Sequence, residues 1–410
     1  LQRAVTGAYE SLATIANTVV DEATLVFAGD TTPAYLGSRA IELGPDVYWP
    51  EIARTFREHD VAIVNLESPL VATLETAARK SGPVLTGSVA FADFLASSGV
   101  TAVTLANNHI MDAGVAGLES TRAALRRAGI QSTGAGTTLA TAQEPLIIST
   151  LAGTIGVLSV AEREFSAASA RSGGAAPLDE TTIVAQLRSL SSECSLSILV
   201  YHGGHEGYAL PSPEMARRCR GFAQAGAAAV VCHHTHVVSG CEVHAGSIIA
   251  YGLGNLLFDV PQPPYPTWNS GAFLSLRIRS GRIVEWRLIG TEQGISLPAV
   301  GLLRTTEGFE RQLSDTSRII SSGADLAAEF EDFCRSSRAF RLAALLGLSR
   351  VERLLLRWGL HPWWRVRRSA LLDMLGTIQC ESNREAAIET LRQELGLAVS
   401  QQASGQRRKP

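Results

Sequence analysis

The chain has 410 residues, 46% of them hydrophobic and 18% charged, and carries a formal net charge of -3. It is long enough for a large core plus an accessory region and too apolar to be disordered; nucleic acid is excluded as a partner by the lack of a basic footprint. Cys194, Cys219, Cys232, Cys241, Cys334 and Cys380 show no C-x-x-C pair, which reads as free thiols in a reducing compartment. No run reaches the roughly 18 apolar residues of a membrane span, so the expected location is cytoplasmic, with peripheral membrane association left open.

Residues 1–22 read as a helical lead-in, and an α/β rhythm begins at residue 23. TLVFAGD (24–30) is a strand, a helix is expected near 47–58, VAIVNLE (61–67) is a strand, and a helix is expected near 89–99. AVTLANNH (102–109), a helix near 115–128, TIGVLSV (154–160), a helix near 179–190, LSILVYH (196–202), a helix near 212–226 and AAAVVCHHTH (227–236) continue it. Such unbroken Val- and Ile-rich runs suit strands buried on both faces. SIIAYGLGNLLF (247–258), GAFLSLRIRS (271–280) and GRIVEWRLIG (281–290) alternate, predicting antiparallel strands that complete the sheet.

The α/β domain is expected to span 23–300, followed by a helical accessory region over 301–398 and a disordered tail over 399–410. RWGLHPWWRVRR (357–368) combines Arg with Trp, and an accessory helix packed on the main domain accounts for it better than a polyanion or membrane surface does. Ser382 with Glu385 reads as a helix cap.

Five apolar runs end in residues able to bind metal: Asp30, Glu67, Asn108 with His109, His202, and His234 with His236. In an open α/β sheet the carboxyl ends of the strands line one crevice, so these residues are expected to converge. Carboxylates, an amide oxygen and neutral imidazoles make a mixed N/O site for Mn, Fe, Zn or Ni. Two such ions about 3.5–4 Å apart activate water and neutralise charge on a phosphoryl or acyl oxygen, which is hydrolase chemistry.

The stretches FAGD (27–30), VNLE (64–67), LANNHIMDAG (105–114), HGGHE (202–206), HHTHVVSGCEV (233–243) and YGLGNLLFD (251–259) together resemble the CapA-type poly-γ-glutamate capsule synthesis proteins of bacteria. That family is a branch of the calcineurin-like metallophosphoesterases, and the resemblance implies their layered sheet core. It also implies that Asp30 and His236 hold one divalent ion, that Asn108, His202 and His234 hold another, and that Glu67 bridges them. His109 would stand beside the substrate as proton donor, oriented by Asp112. Asn65, Asn107, His205, Glu206 and Asn255 are candidates for touching substrate or supporting the ligands.

Two departures from the wider superfamily matter. Thr32 stands where a D-x-H pair would put a histidine, and Glu67 stands where Asp is usual, leaving one or two ions open. Gly203 and Gly207 replace aromatic residues of the branch and are expected to widen the pocket. His233 is expected to be less central than His234 and His236, and His59, His244 and His361 read as structural or solvated.

The resulting expectation is a metal-dependent hydrolase acting on a phosphoester or related acyl or amide bond, in poly-γ-glutamate or capsule biosynthesis. Its substrate would be a small or polymeric anion. The alternative is a non-catalytic, polymer-binding component of a surface-polymer synthesis complex.

Overall fold

Two β-sheets lie face to face in the computed structural model, and helices cover the outer face of each. The structure describes residues 21–338 apart from Leu36, Ser81 and Ile295, together with isolated positions after 340. Leu1–Phe330 form one compact unit and Glu331–Pro410 a second.

The first sheet is ordered Val300–Leu302, Arg282–Gln293, Ser270–Arg279, Glu22–Thr31, Val61–Leu66, Ala102–Thr104 and Gln131–Thr133, with Asn255–Leu257 pairing beside Glu22–Thr31. The second is ordered Cys241–His244, Ser247–Ala250, Ala229–His233, Leu196–His202, Gly153–Ala161 and Leu146–Thr150. In the first sheet Glu22–Thr31, Val61–Leu66, Ala102–Thr104 and Gln131–Thr133 are parallel and the strands from Ser270–Arg279 to Val300–Leu302 antiparallel; in the second the central strands are parallel and both edges antiparallel.

Side-chain alternation in one strand feeds two different cores. Leu25 and Phe27 point between the sheets, where they meet Ile155, Val157, Ile198, Val200 and Val231. Val26 and Ala28 point outward to Trp49, Ile52 and Phe56 near the helix Pro50–Arg57. On the far side Leu199, Tyr201 and Val230 pack on Ile183, Leu187 and Phe222 of the helices Glu180–Glu193 and Pro213–Gln224. Local signals start those helices where the sequence predicts: Asp179 Oδ1 accepts from Thr182 N at 2.9 Å, and Ser212 Oγ accepts from Met215 N at 3.1 Å ahead of Pro213.

The layered α/β expectation holds, with one correction. Segment 247–258 is not an antiparallel completion of a single sheet: Ser247–Ala250 runs parallel to Ala229–His233 in the second sheet, and Asn255–Leu257 crosses to run parallel to Glu22–Thr31 in the first. Ser270–Arg279 and Arg282–Gln293 do form an antiparallel pair, and Ser247–Ala250 is antiparallel to Cys241–His244 on its other side. The helix Glu307–Ser321 sits with the sheets, burying Ile320 in the outer core and donating from Gln312 Nε2 to Val238 O at 3.0 Å.

The cysteines among the described residues are free. No described helix is long and apolar enough to cross a membrane. Residues 1–20, nearly all of 357–368, the Ser382 cap and the tail lie outside the described residues.

Candidate metal centre

The crossing of Asn255–Leu257 from one sheet to the other closes the end of the sandwich where the candidate residues gather. Asp30, Glu67 and Asn108 come from the ends of first-sheet strands, and His202, His234 and His236 from the second. The loop after Ala229–His233 bends sharply enough that His234 and His236 both adopt left-handed backbone, φ 91° and 55°. Such conformations cost about 1–3 kcal/mol each and persist where the surroundings enforce them.

Their side chains fall into two buried groups that share one carboxylate. Asp30, Glu67 and His236 form one, and Glu67, His202 and His234 the other, with donor atoms within 4.8 Å of one another in each. Asn108 joins the second, its Oδ1 3.1 Å from His202 Nε2. His202 Nε2 is also 3.1 Å from His234 Nδ1 and 3.5 Å from Glu67 Oε1. Several atoms able to ligate a cation therefore crowd one spot.

Glu67 makes the arrangement's demand plain: it is fully buried, and neither carboxylate oxygen has a hydrogen-bond partner. A buried carboxylate without a donor is costly, and a divalent cation between these donors removes the cost. Burial first, then the Asp30 carboxylate, pushes Glu67 well above the ordinary carboxylate range. Burial and the neighbouring His234 hold His202 well below the usual imidazole range, so it is neutral and able to ligate. The residues present thus fit a divalent ion, and the two groups sharing Glu67 fit two.

Supporting contacts fix the donors. Burial pushes Asp30 upward, but hydrogen bonds from His233 and His236 outweigh it and hold the carboxyl well down. His233 Nδ1 reaches Asp30 Oδ1 at 3.0 Å, Asn65 Nδ2 donates to the same oxygen at 2.8 Å, and His234 N donates to Oδ2 at 3.1 Å. His236 Nδ1 lies 2.9 Å from Asn255 Oδ1 and 3.3 Å from Asp30 Oδ2, which leaves Nε2 facing Glu67 Oε1 at 3.9 Å. Asn107 Nδ2 donates to Leu66 O at 2.8 Å and its Oδ1 accepts from His109 N at 3.1 Å, tying two strand ends together.

His109 Nδ1 donates to Asp112 Oδ2 at 2.7 Å, so Asp112 stands where the sequence placed it. Burial holds His109 below the usual imidazole range, although the Asp112 bond pulls the other way. The ring opens onto a cavity of about 540 Å³ also lined by Asn108, Glu164, Glu206, Phe258 and Trp268. Phe258 and Trp268 pack on the His236 ring at 4.8 and 4.7 Å.

Two sequence expectations shift. His205 does not line that cavity; it stacks on Phe330 of the helix Gly323–Ser336, with ring centroids 5.6 Å apart. Gly203 and Gly207 admit close neighbours rather than widening the pocket, since a Cβ would meet Glu162 Cγ at 2.7 Å and Tyr265 Cε1 at 2.9 Å. Thr32 is buried, its hydroxyl accepting from Ala34 N at 3.3 Å, and the nitrogen donor of the Asp30 group comes from His236. His233 proved more central than its sequence reading, and Lys80, in the loop after Val71, was missed.

Residues 24–260, more than half of the chain, match the family model described as bacterial capsule synthesis protein PGA_cap. The chain belongs to that family. Within it, the PGA biosynthesis protein CapA of Bacillus subtilis is 26% identical over 238 residues, 57% of this chain and 62% of that protein. A probable polyglutamine synthesis accessory protein of Mycobacterium tuberculosis is 30% identical over 222 residues, 49% of this chain and 56% of that protein. The match thus spans less than two thirds of these relatives. Among solved structures, a phosphatase from Mycoplasma pneumoniae aligns over 66% of this chain and 94% of that one, with 13% identity and a TM-score of 0.44.

Proposed function

We propose that the protein is a metal-dependent hydrolase of a phosphoester or related acyl or amide bond, working in the production of a poly-γ-glutamate or capsule-type surface polymer. The observation that carries this reading is Glu67, a buried carboxylate with no hydrogen-bond partner, set among the buried imidazoles of His202, His234 and His236 next to a cavity lined by Asn108, His109 and His236. The polymer comes from the names of the relatives, and the reaction class from the donor set.

One or two Mn, Fe, Zn or Ni ions held by Asp30, Glu67, Asn108, His202, His234 and His236 would supply Lewis acidity and lower the pKa of water. The chain's own residues do the rest. Asp30 is clamped by His233 and Asn65, so its carboxylate is fixed before any ligand arrives. His109, with Nδ1 committed to Asp112, keeps Nε2 for the cavity its ring lines; there it can accept a hydrogen bond and, in the imidazolium form that the Asp112 contact favours, pass a proton to the departing group. Phe258 and Trp268 form a dry wall on the His236 side, which strengthens every charge interaction inside.

The test is elemental analysis of freshly purified protein, followed by turnover of p-nitrophenyl phosphate, bis(p-nitrophenyl) phosphate and a γ-glutamyl peptide. His234→Ala should lose metal and at least about 10²-fold in turnover. Wild-type turnover that survives intact in His234→Ala would end the proposal.

A further inference from the structure

Of the 36 basic residues in the chain only Lys80 and Lys409 are lysines; all others are arginine. Lys80 is also the basic side chain at the candidate centre, and it is 3% exposed. A chain that uses arginine almost everywhere else places a compact ammonium here.

The surroundings of that ammonium are specific. Nζ lies 2.5 Å from Asp112 Oδ1, 3.0 Å from His109 Nδ1 and 3.5 Å from the Asn108 carbonyl oxygen. Asp112 Oδ1 has no hydrogen-bond partner of good geometry, so the ammonium alone compensates it. The other oxygen, Oδ2, accepts from Leu85 N at 2.7 Å and from His109 Nδ1 at 2.7 Å. The backbone closes the same clasp, with Ala78 N donating to Asp112 O at 2.9 Å. Ala78, Lys80 and Leu85 are therefore fastened onto the Asn108–Asp112 turn, mainly through Asp112.

We propose that Lys80 is the positioning residue of this centre, pinning Asp112 and through it the Nδ1–H tautomer and ring plane of His109, so that Nε2 faces the substrate. The inference rests on the hydrolase reading for its consequence, but its geometry stands apart from it. An ammonium is a compact point charge with tetrahedral donors, which suits Asp112 Oδ1 and the Asn108 carbonyl oxygen at close range while it packs beside the imidazole edge. A guanidinium is planar and wider, and would push Asp112 off the imidazole. A purely structural loop anchor needs no buried cation, since Leu85 N and Ala78 N already tie the loop to Asp112. Misplacing a proton donor by about 1 Å can cost on the order of 10²-fold in rate.

The experiment uses the full chain loaded with Mn²⁺ and compares wild type with Lys80→Ala, Lys80→Met and Lys80→Arg. Lys80→Met keeps the apolar stem, which separates lost packing from lost charge. With bis(p-nitrophenyl) phosphate the Ala and Met variants should stay folded and keep metal content, melt at a lower temperature because Asp112 loses its partner, lose about 10²-fold in kcat and hold KM within about twofold. Ethylammonium in solution should restore at least about tenfold to Lys80→Ala, because the site opens onto the cavity, and Lys80→Arg should remain impaired.

A second readout needs no turnover. In ¹⁵N-histidine spectra of metal-free protein, the protonated, hydrogen-bonded Nδ1 of His109 should be present in wild type and lost in Lys80→Ala. Full activity in Lys80→Arg, a loss confined to KM or explained by lost metal, or an unchanged Nδ1–H signal in Lys80→Ala would overturn the proposal. If wild type turns over no ester, the hydrolase reading fails while the spectra still decide the role of Lys80.

Discussion

Replacing Glu67 by glutamine should change stability in opposite directions with and without metal, and the sign follows from the pocket. In the metal-free protein both carboxylate oxygens are buried and unpartnered, and Asp30 lies close enough to repel the charge. The unfolded chain ionises Glu67 near its ordinary value of 4.5, whereas the folded chain holds the proton to higher pH. The folded state then binds more protons across that window, so the stability present below 4.5 is lost as pH rises through the raised folded value. Glutamine mimics the protonated acid in shape and carries no such dependence. Relief of one unsatisfied buried group is worth about 1–3 kcal/mol, or a rise in Tm of roughly 2–8 °C for a domain of this size. Saturating metal reverses the order: at 100-fold excess over Kd the wild type gains about 2.7 kcal/mol, which the amide largely forfeits. The assay is chemical denaturation of EDTA-treated and Mn²⁺-loaded protein at several pH values from 4.5 to 8. The reasoning is refuted if Glu67→Gln destabilises the metal-free protein at pH 8, or if its advantage does not grow with pH.

Two further outcomes separate working residues from packing residues. His205→Ala should cost about 0.5–1.5 kcal/mol through the lost stacking on Phe330 while leaving turnover within about twofold, as measured by thermal unfolding beside steady-state rates. Asp179→Ala should cost about 1 kcal/mol through loss of the cap on the helix Glu180–Glu193. The hydrogen bonds from Thr182 hold the Asp179 carboxyl below its ordinary range, so the gap between wild type and variant is present near neutrality and closes as pH falls through the depressed value. Unfolding curves at pH 7 and below pH 3.8 check it.

What the sequence made legible is what local chemistry writes into it. Buried parallel strands must be continuous apolar runs, and functional groups cluster where such strands end. For that reason Asp30, Glu67, Asn108, His202, His234 and His236 could be picked out together and are found side by side. Sheet membership was not legible, because a strand buried on both faces looks the same in either of two sheets. The two-sheet closure through Ser247–Leu257 is set by a crossing of the chain, which no periodicity records.

The roles of His233 and Lys80 were hidden for different reasons. Strand alternation sets His233 and His234 on opposite sides, but the left-handed turn at His234 re-aims the loop, so that His233 Nδ1 and His234 N both reach the Asp30 carboxylate. Lys80 lies in a loop, where neither period nor propensity marks a residue. Its signal was compositional: where arginine supplies nearly every positive charge, a lysine that meets Asp112 and His109 in the interior is there for the shape of its ammonium. Residue usage within one chain can therefore locate a chemically constrained position that motif spacing passes over, provided the fold then shows what the exceptional side chain touches.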